Sequence, residues 1–282
     1  MRNLKQILAR VLRPVAAAVN WPLARLRPDQ VCPACGIGVL ERYKETLWPE
    51  LVQAWELDAE WSRWINEREG KKCLVCSSSR RNRHMASAII REIRRRTGAE
   101  GRSLSEITRD PRAATIDIAE INSCGLMSRY LDRLPRRRLS EYGSKDPSIP
   151  HEDVQRLTYA DASFDLVLTS DTLEHVPDFD LALRETLRVL RPGGTHIMTV
   201  PVVRDGRPTR SRARLKSDGS LEHLLPPSFH SDSVHRDRMD FLVFSEFGDD
   251  IVERIRIAGY QLELDVAPGN PALVNYLMTR PL

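Results

Sequence analysis

The stretch from Ser163 to Pro201, SFDLVLTSDTLEHVPDFDLALRETLRVLRPGGTHIMTVP, leaves the chain little choice of architecture. Phe164 to Thr169 is an apolar run too short for a helix and reads as a buried strand. Asp178 or Asp180 is placed to cap the helix that follows, and Phe179, Leu183, Leu187 and Leu190 then share one face. Arg188 and Arg191 sit at its C-terminal end, where cations suit the helix dipole, and Pro192-Gly193-Gly194 reads as its stop. His196 to Val200 is a second buried run. Strand, crossover helix and strand make a βαβ unit, which implies a parallel sheet with a right-handed crossover.

FDLVLTSDTLEHV followed by LRVLRPGG resembles the central part of a class I S-adenosylmethionine-dependent methyltransferase of the small-molecule type. The likeness runs more loosely from about Ala113 to Arg280. It implies an α/β fold: a Rossmann-like, seven-stranded, mostly parallel sheet with helices on both faces, in strand order 3-2-1-4-5-7-6. Ala114 to Ala119 reads as the first strand. In the family this strand ends in an acid followed by glycines at alternate positions, which let the backbone approach the cofactor. The matching stretch here begins at Asp117 and runs through Ala119 and Glu120, with Ala119, Ile121 and Ser123 at the glycine positions. The resemblance further implies ribose binding by Glu141, beside Tyr142 at the end of the second strand. Adenine binding would fall to Asp153 and Val154, and Ser170 and Asp171 would emerge at the ligand-binding edge. The plainer readings are a solvent-facing Glu141 and a turn-capping Asp153. No G-x-G-x-x-G follows the first strand, which argues against a nicotinamide dehydrogenase, and no P-loop is present.

Upstream lie two C-x-x-C pairs, Cys32/Cys35 and Cys73/Cys76. Two residues between thiolates let both reach one ion, and Gly36 permits the tight turn after the first pair, so the four cysteines form a candidate structural zinc site. A redox dithiol, the other use of such a pair, fits two distant pairs less well. Between the pairs stand four of the five tryptophans, Trp48, Trp55, Trp61 and Trp64. They read as core of one or two helices rather than a platform for bases. The expected division is a basic tail over residues 1–30, a four-cysteine module with a helical insert over 31–85, and a methyltransferase domain over 86–282.

In the tail, Leu4, Ile7, Leu8, Val11 and Val15 follow helical spacing. Residues 1–27 carry Arg2, Lys5, Arg10, Arg13, Arg25 and Arg27 and no acid. Two readings stand: a helix docked on the protein's own surface, or peripheral contact of residues 1–15 with an anionic membrane. No apolar run approaches the roughly 20 residues of a membrane span, and Arg10 and Arg13 interrupt the only candidate signal region, so a cytoplasmic protein is expected. The net charge of +4 is mild and demands no nucleic-acid partner.

The leading expectation is methyl transfer from S-adenosylmethionine to a small molecule or glycan, with zinc in a structural role. A base beside the acceptor would be His230 first, then His223, then Asp171, while His175 reads as structural. Arg204, Arg207, Arg210, Arg212, Arg214 and Lys216 on a long loop suit an anionic acceptor. A second reading is an RNA methyltransferase whose Arg80, Arg81 and Arg83 grip phosphates. A third is a non-catalytic scaffold with the methyltransferase fold.

Overall fold

The structure, a computed structural model, describes residues 15, 17–27, 30–203, 206–230 and 241–282, without the side chain of His230. The expected tail helix therefore lies outside the described residues except at Val15, and Arg204 lies outside them too.

The central sheet has six strands: β1 (Ile118–Ile121), β2 (Arg137–Ser140), β3 (Phe164–Ser170), β4 (Leu190–Thr199), β5 (Gln261–Val266) and β6 (Val274–Thr279). Their order is β5-β6-β4-β3-β1-β2. β2, β1, β3 and β4 run parallel, while β6 is antiparallel to both β4 and β5. The closing antiparallel hairpin is as expected, but among the described residues the sheet is one strand short of the expected seven. Among the described residues, only an isolated parallel bridge, Glu141 to His151, stands outside β2. The intervening chain carries Pro147 and Pro150, each of which lacks the N–H a ladder needs.

Both faces of the sheet are buried, as parallel sheets require. Ile118, Leu166, Leu168 and Ile197 point to one side, against Met85, Ile89 and Ile93 of helix α3 (Arg80–Thr97). Ala119, Ile121, Val167 and Met198 point to the other, against Phe179 and Leu183 of α4 (Phe179–Val189) and Ile251 and Ile255 of α5 (Ile251–Ile257). Asp178 caps α4 by accepting from Leu181 N at 2.8 Å. The helix ends at Val189, ahead of the Pro-Gly-Gly triplet. Those three residues sit inside β4, where the pairing skips from Phe164–Leu190 to Leu166–Thr195. They lie in a register shift of the strand, just past the end of the helix.

The insert between the cysteine pairs folds as α1 (Pro49–Ala54) and α2 (Ala59–Gly70). Trp55 and Trp61 are buried with Val203 and Val243. Trp55 Nε1 donates to Ser228 Oγ at 3.0 Å and Trp61 Nε1 to the Val202 carbonyl at 3.1 Å. The insert thus packs on the chain that follows β4. α3 is capped by Ser79, whose hydroxyl accepts from Asn82 N, and ends on left-handed Gly98. It runs through residue 85, the expected module boundary, and Cys32, Cys73 and Cys76 share its core cluster with Ile118 and Leu166. The cysteine module and the sheet therefore have one continuous core.

Candidate active site and metal centre

In parallel strands the carboxyl ends share one edge, and there ligands bind in open α/β sheets. β1 begins at Ile118, after a 3-10 turn over Pro111–Thr115, so it lies later in the chain than the expected Ala114–Ala119. The shift corrects the placement of Asp117. It precedes the strand, at the edge opposite the ligand-binding one. There its carboxylate lies 3.0 Å from Arg191 and 3.7 Å from Arg136, and its N–H donates to Asp165. The acid near the carboxyl end is Glu120, fully buried, which accepts from Cys124 N at 2.7 Å and from Arg137 Nε at 2.8 Å. Glu120 thus ties the turn after β1 back onto the strand. Ala119 and Ile121 point into the core on the α4 side, so neither side chain stands over that turn.

The turn solves its glycine shortage with asparagine. Asn122 has φ 55°, a left-handed conformation that asparagine tolerates better than most side chains. Its N–H donates to the Ser140 carbonyl at 2.8 Å and its Oδ1 accepts from Tyr142 N at 3.0 Å, joining the ends of β1 and β2. Gly125, at φ 65°, closes the turn, and a Cβ there would meet nothing within 4 Å. Glu141 follows β2 beside Asn122, half-buried, with its N–H on the Pro150 carbonyl at 3.0 Å. Tyr142 is 68% exposed and faces the His151 ring. Asp153 accepts from Gln155 N at 2.9 Å, the turn-capping role, and Val154 is buried in the core with Ile121.

At the end of β3, Asp171 is held in a left-handed conformation, φ 48°. Arg68 of α2 donates to both its oxygens, at 2.7 and 2.9 Å; Arg81 of α3 lies 3.1 Å away; and Thr199 Oγ1 donates at 2.9 Å. Burial by itself would raise the Asp171 pKa, but the two arginines outweigh it and hold the group below the usual carboxylate range. A carboxylate so engaged is a weak general base, which weighs against its expected catalytic role. Ser170 Oγ accepts from Arg81. Glu174 is the opposite case: burial first, then the Asp171 charge, push its pKa well up. His175 is kept neutral by burial, and its Nδ1 meets the Leu242 carbonyl at 2.9 Å, the structural role expected of it. His223 is exposed on a hairpin opposite Ala213. His230 pairs through its backbone with Phe241, and its side chain lies outside the described ones.

Among the described residues, the arginines set aside for anionic partners are engaged within the chain. Arg80 pairs with Glu67, Arg81 with Glu69 and Asp171, and Arg83 with Glu41. Arg207 and Arg210 pair with Glu56, Arg212 with Glu246, and Arg214 with Glu222. Arg68 has no signature in the sequence, because its partner stands 103 positions away.

The four cysteine sulfurs lie within 4.8 Å of one another, with Cys32–Cys76 at 3.6 Å and Cys35–Cys73 at 3.9 Å. A zinc ion with Zn–S bonds near 2.3 Å needs sulfurs about 3.8 Å apart, so the set fits. Each pair turns alike: Gly36 N donates to the Cys32 carbonyl and Ser77 N to the Cys73 carbonyl, both residues at positive φ. A methyl group on Gly38 would collide with Cys73 Sγ.

Residues 117–198 match the model of a family described as a methyltransferase domain. Among curated proteins the chain is similar to methyltransferase GfsG of Streptomyces halstedii, 36% identical over 110 residues, which are 35% of this chain and 38% of that one. It is also similar to a sarcosine/dimethylglycine N-methyltransferase of Halorhodospira halochloris, 37% identical over 76 residues, 27% of each chain. The chain thus spans less than two fifths of these relatives' lengths. Among solved structures it is similar to the Burkholderia thailandensis 1,6-didemethyltoxoflavin-N1-methyltransferase with bound 1,6-didemethyltoxoflavin and S-adenosylhomocysteine. That match has 16% identity and a TM-score of 0.40, over 85% of this chain and 92% of that one. The likeness is thus to methyltransferases, and it is confined to part of the chain. Among the described residues, no helix is long and apolar enough to cross a membrane.

Proposed function

We propose that the chain transfers a methyl group from S-adenosylmethionine to a small-molecule acceptor bound at the sheet, with the four-cysteine region as a zinc-stabilised part of the same core. The observation that carries this reading is the turn Asn122–Gly125. It has two left-handed residues, is closed onto β1 by Glu120, and has open space over Gly125, all within the matched segment. When bound, the cofactor supplies an electrophilic sulfonium methyl group. Gly125 leaves room for the cofactor to approach the backbone closely, and Glu141 is the acceptor for the ribose hydroxyls. Tyr142 and Ser170 flank that space, and the Asp153 turn bounds it beyond Glu141. The rim formed by Ser170, Asp171 and the insert orients the acceptor and keeps water out. His230 is the proposed base. A small-molecule acceptor is supported by the relatives, which include sarcosine/dimethylglycine and demethylmenaquinone methyltransferases. The pairing of Arg80, Arg81 and Arg83 with carboxylates weighs against a phosphate-gripping RNA enzyme. Cys32, Cys35, Cys73 and Cys76 are the proposed ligands of structural zinc.

Calorimetric titration with S-adenosylhomocysteine tests the reading. Saturable binding that Glu141→Ala weakens is expected, and absence of heat from a zinc-loaded sample at millimolar ligand overturns it in favour of the scaffold.

A further inference from the structure

Residues 17–26 are helical, and the helix is pinned to the cysteine module through one buried side chain. Asn20 is 0% exposed, and its Oδ1 accepts from Val39 N at 2.7 Å and Leu40 N at 2.9 Å. That anchor fixes which side faces outward. Val15, Val19 and Leu26 are 57%, 52% and 78% exposed, and with Pro22, also exposed, they recur at intervals of four, three and four. Residues so spaced form a single stripe along a helix. Well around the helix from the stripe, Trp21 is also 53% exposed, with the Arg25 guanidinium 5.0 Å from its ring centre. The apolar side of this helix is turned away from the protein, and an apolar body with a polar tip, such as tryptophan, favours a water–lipid boundary.

We infer that this face is a docking surface for an anionic phospholipid membrane. The charge identifies the occupant: residues 1–27 hold six cationic side chains and no acid, from Arg2 to Arg27. The same four-three-four spacing extends backward in the sequence through Leu4, Leu8 and Val11. A second copy meeting this face would bring like charges together. A nucleic acid would use the cations and leave the apolar stripe in water. A lipid surface uses both, burying the stripe among acyl chains while headgroup phosphates receive the arginines. The inference is independent of the methyltransferase reading and involves none of its residues.

Flotation of the full chain with vesicles provides the test. The protein should float with phosphatidylglycerol–phosphatidylcholine vesicles, stay behind with phosphatidylcholine alone, and be released by salt. Arg25→Gln should weaken partition about fivefold. Val19→Asp with Leu26→Asp should weaken it roughly tenfold or more, with circular dichroism and zinc content unchanged because both side chains are exposed. Equal flotation on both vesicle types, none on either, or flotation indifferent to the double substitution overturns the inference. So does a dimer dissolved by the double substitution, or retention on RNA, in a protein that binds no vesicles.

Discussion

Arg68, on the helical insert between the two cysteine pairs, grips Asp171 at the carboxyl end of β3 with two hydrogen bonds of 2.7 and 2.9 Å. One partner belongs to the four-cysteine module and the other to the strand–helix crossover, so this pair joins the two halves of the chain at the candidate active-site rim. Arg68 is 3% exposed and also reaches Glu69 at 2.6 Å. Removing one member of such a pair strands a buried charge. Arg68→Ala is therefore expected to destabilise the fold by about 3–5 kcal/mol in denaturant unfolding, and Arg68→Ala with Asp171→Asn to recover part of that loss. Asp171→Asn in an otherwise intact enzyme should retain substantial turnover, because its carboxylate is committed to the arginines. Abolished turnover with an unchanged melting temperature would restore Asp171 as a catalytic group.

The register of β1 is tested by a contrast between two acids. Asp117→Asn, at the edge away from the ligands, should leave S-adenosylhomocysteine affinity within about twofold, its effect confined to stability through Arg191 and Asp165. Glu141→Gln at the rim should weaken that affinity about 10- to 100-fold, the value of hydrogen bonds to a charged acceptor. Isothermal titration of both variants decides the matter, and the reverse ranking would return the cofactor to Asp117.

Asn122 offers a third measurement. Its left-handed backbone costs a β-branched residue heavily, so Asn122→Val should lose about 1–3 kcal/mol of stability and most cofactor affinity. Asn122→Gly relieves the backbone but forfeits the Oδ1 bond to Tyr142 N, and these changes offset to within about 1 kcal/mol. Thermal melts with and without S-adenosylhomocysteine separate the two effects.

The crossover unit was legible in the sequence because it is local. Phe164 to Thr169, the cap at Asp178 and the α4 face each follow from neighbours a few positions apart. The cysteine quartet was legible by spacing, since C-x-x-C twice leaves few other uses. The first strand was misplaced because Ala114–Ala119 and Ile118–Ile121 look equally apolar. What separates them is the burial of Glu120 against Arg137, which is a tertiary fact. The missing seventh strand was hidden behind the resemblance, although Pro147 and Pro150 carried the signal. The arginines read as solvated or phosphate-binding because their acidic partners, such as Glu41, Glu56 and Glu246, come from other elements.

Loss of a metal ligand should propagate to the rim. Cys73 shares a core cluster with Ile89 and Ile118, and the chain from Cys76 leads within four residues to the start of α3, where Arg81 meets Asp171. Cys73→Ser is expected to abolish stoichiometric zinc by elemental analysis and to remove a stabilisation on the order of 10 kcal/mol, the scale of a structural zinc site. Amide exchange should then rise both around residues 32–38 and around Ser170–His175. Protection retained at the rim would show the two regions to be uncoupled.

His196, His175 and Asp171 make the fold acid-sensitive in two stages, opposed by Glu174, whose raised pKa lets the folded chain hold a proton that the unfolded chain releases. His196 is fully buried on β4 with Nε2 2.8 Å from Thr169 Oγ1, and burial depresses its pKa to about 3. The unfolded chain therefore binds a proton below about pH 6.5 that the folded chain refuses. Stability from this group is complete above that pH and falls by about 1.4 kcal/mol per pH unit as pH drops toward the folded value. His175, also depressed by burial, adds a loss of the same sign. Asp171 acts later: its lowered pKa gives stability present above the unfolded aspartate value near pH 3.9 and lost as pH falls further. Urea unfolding of the protein and of His196→Asn at successive pH values isolates the histidine's share from that of Glu174. In His196→Asn the slope should be shallower by about one proton, and an unchanged slope would place the titrating group elsewhere.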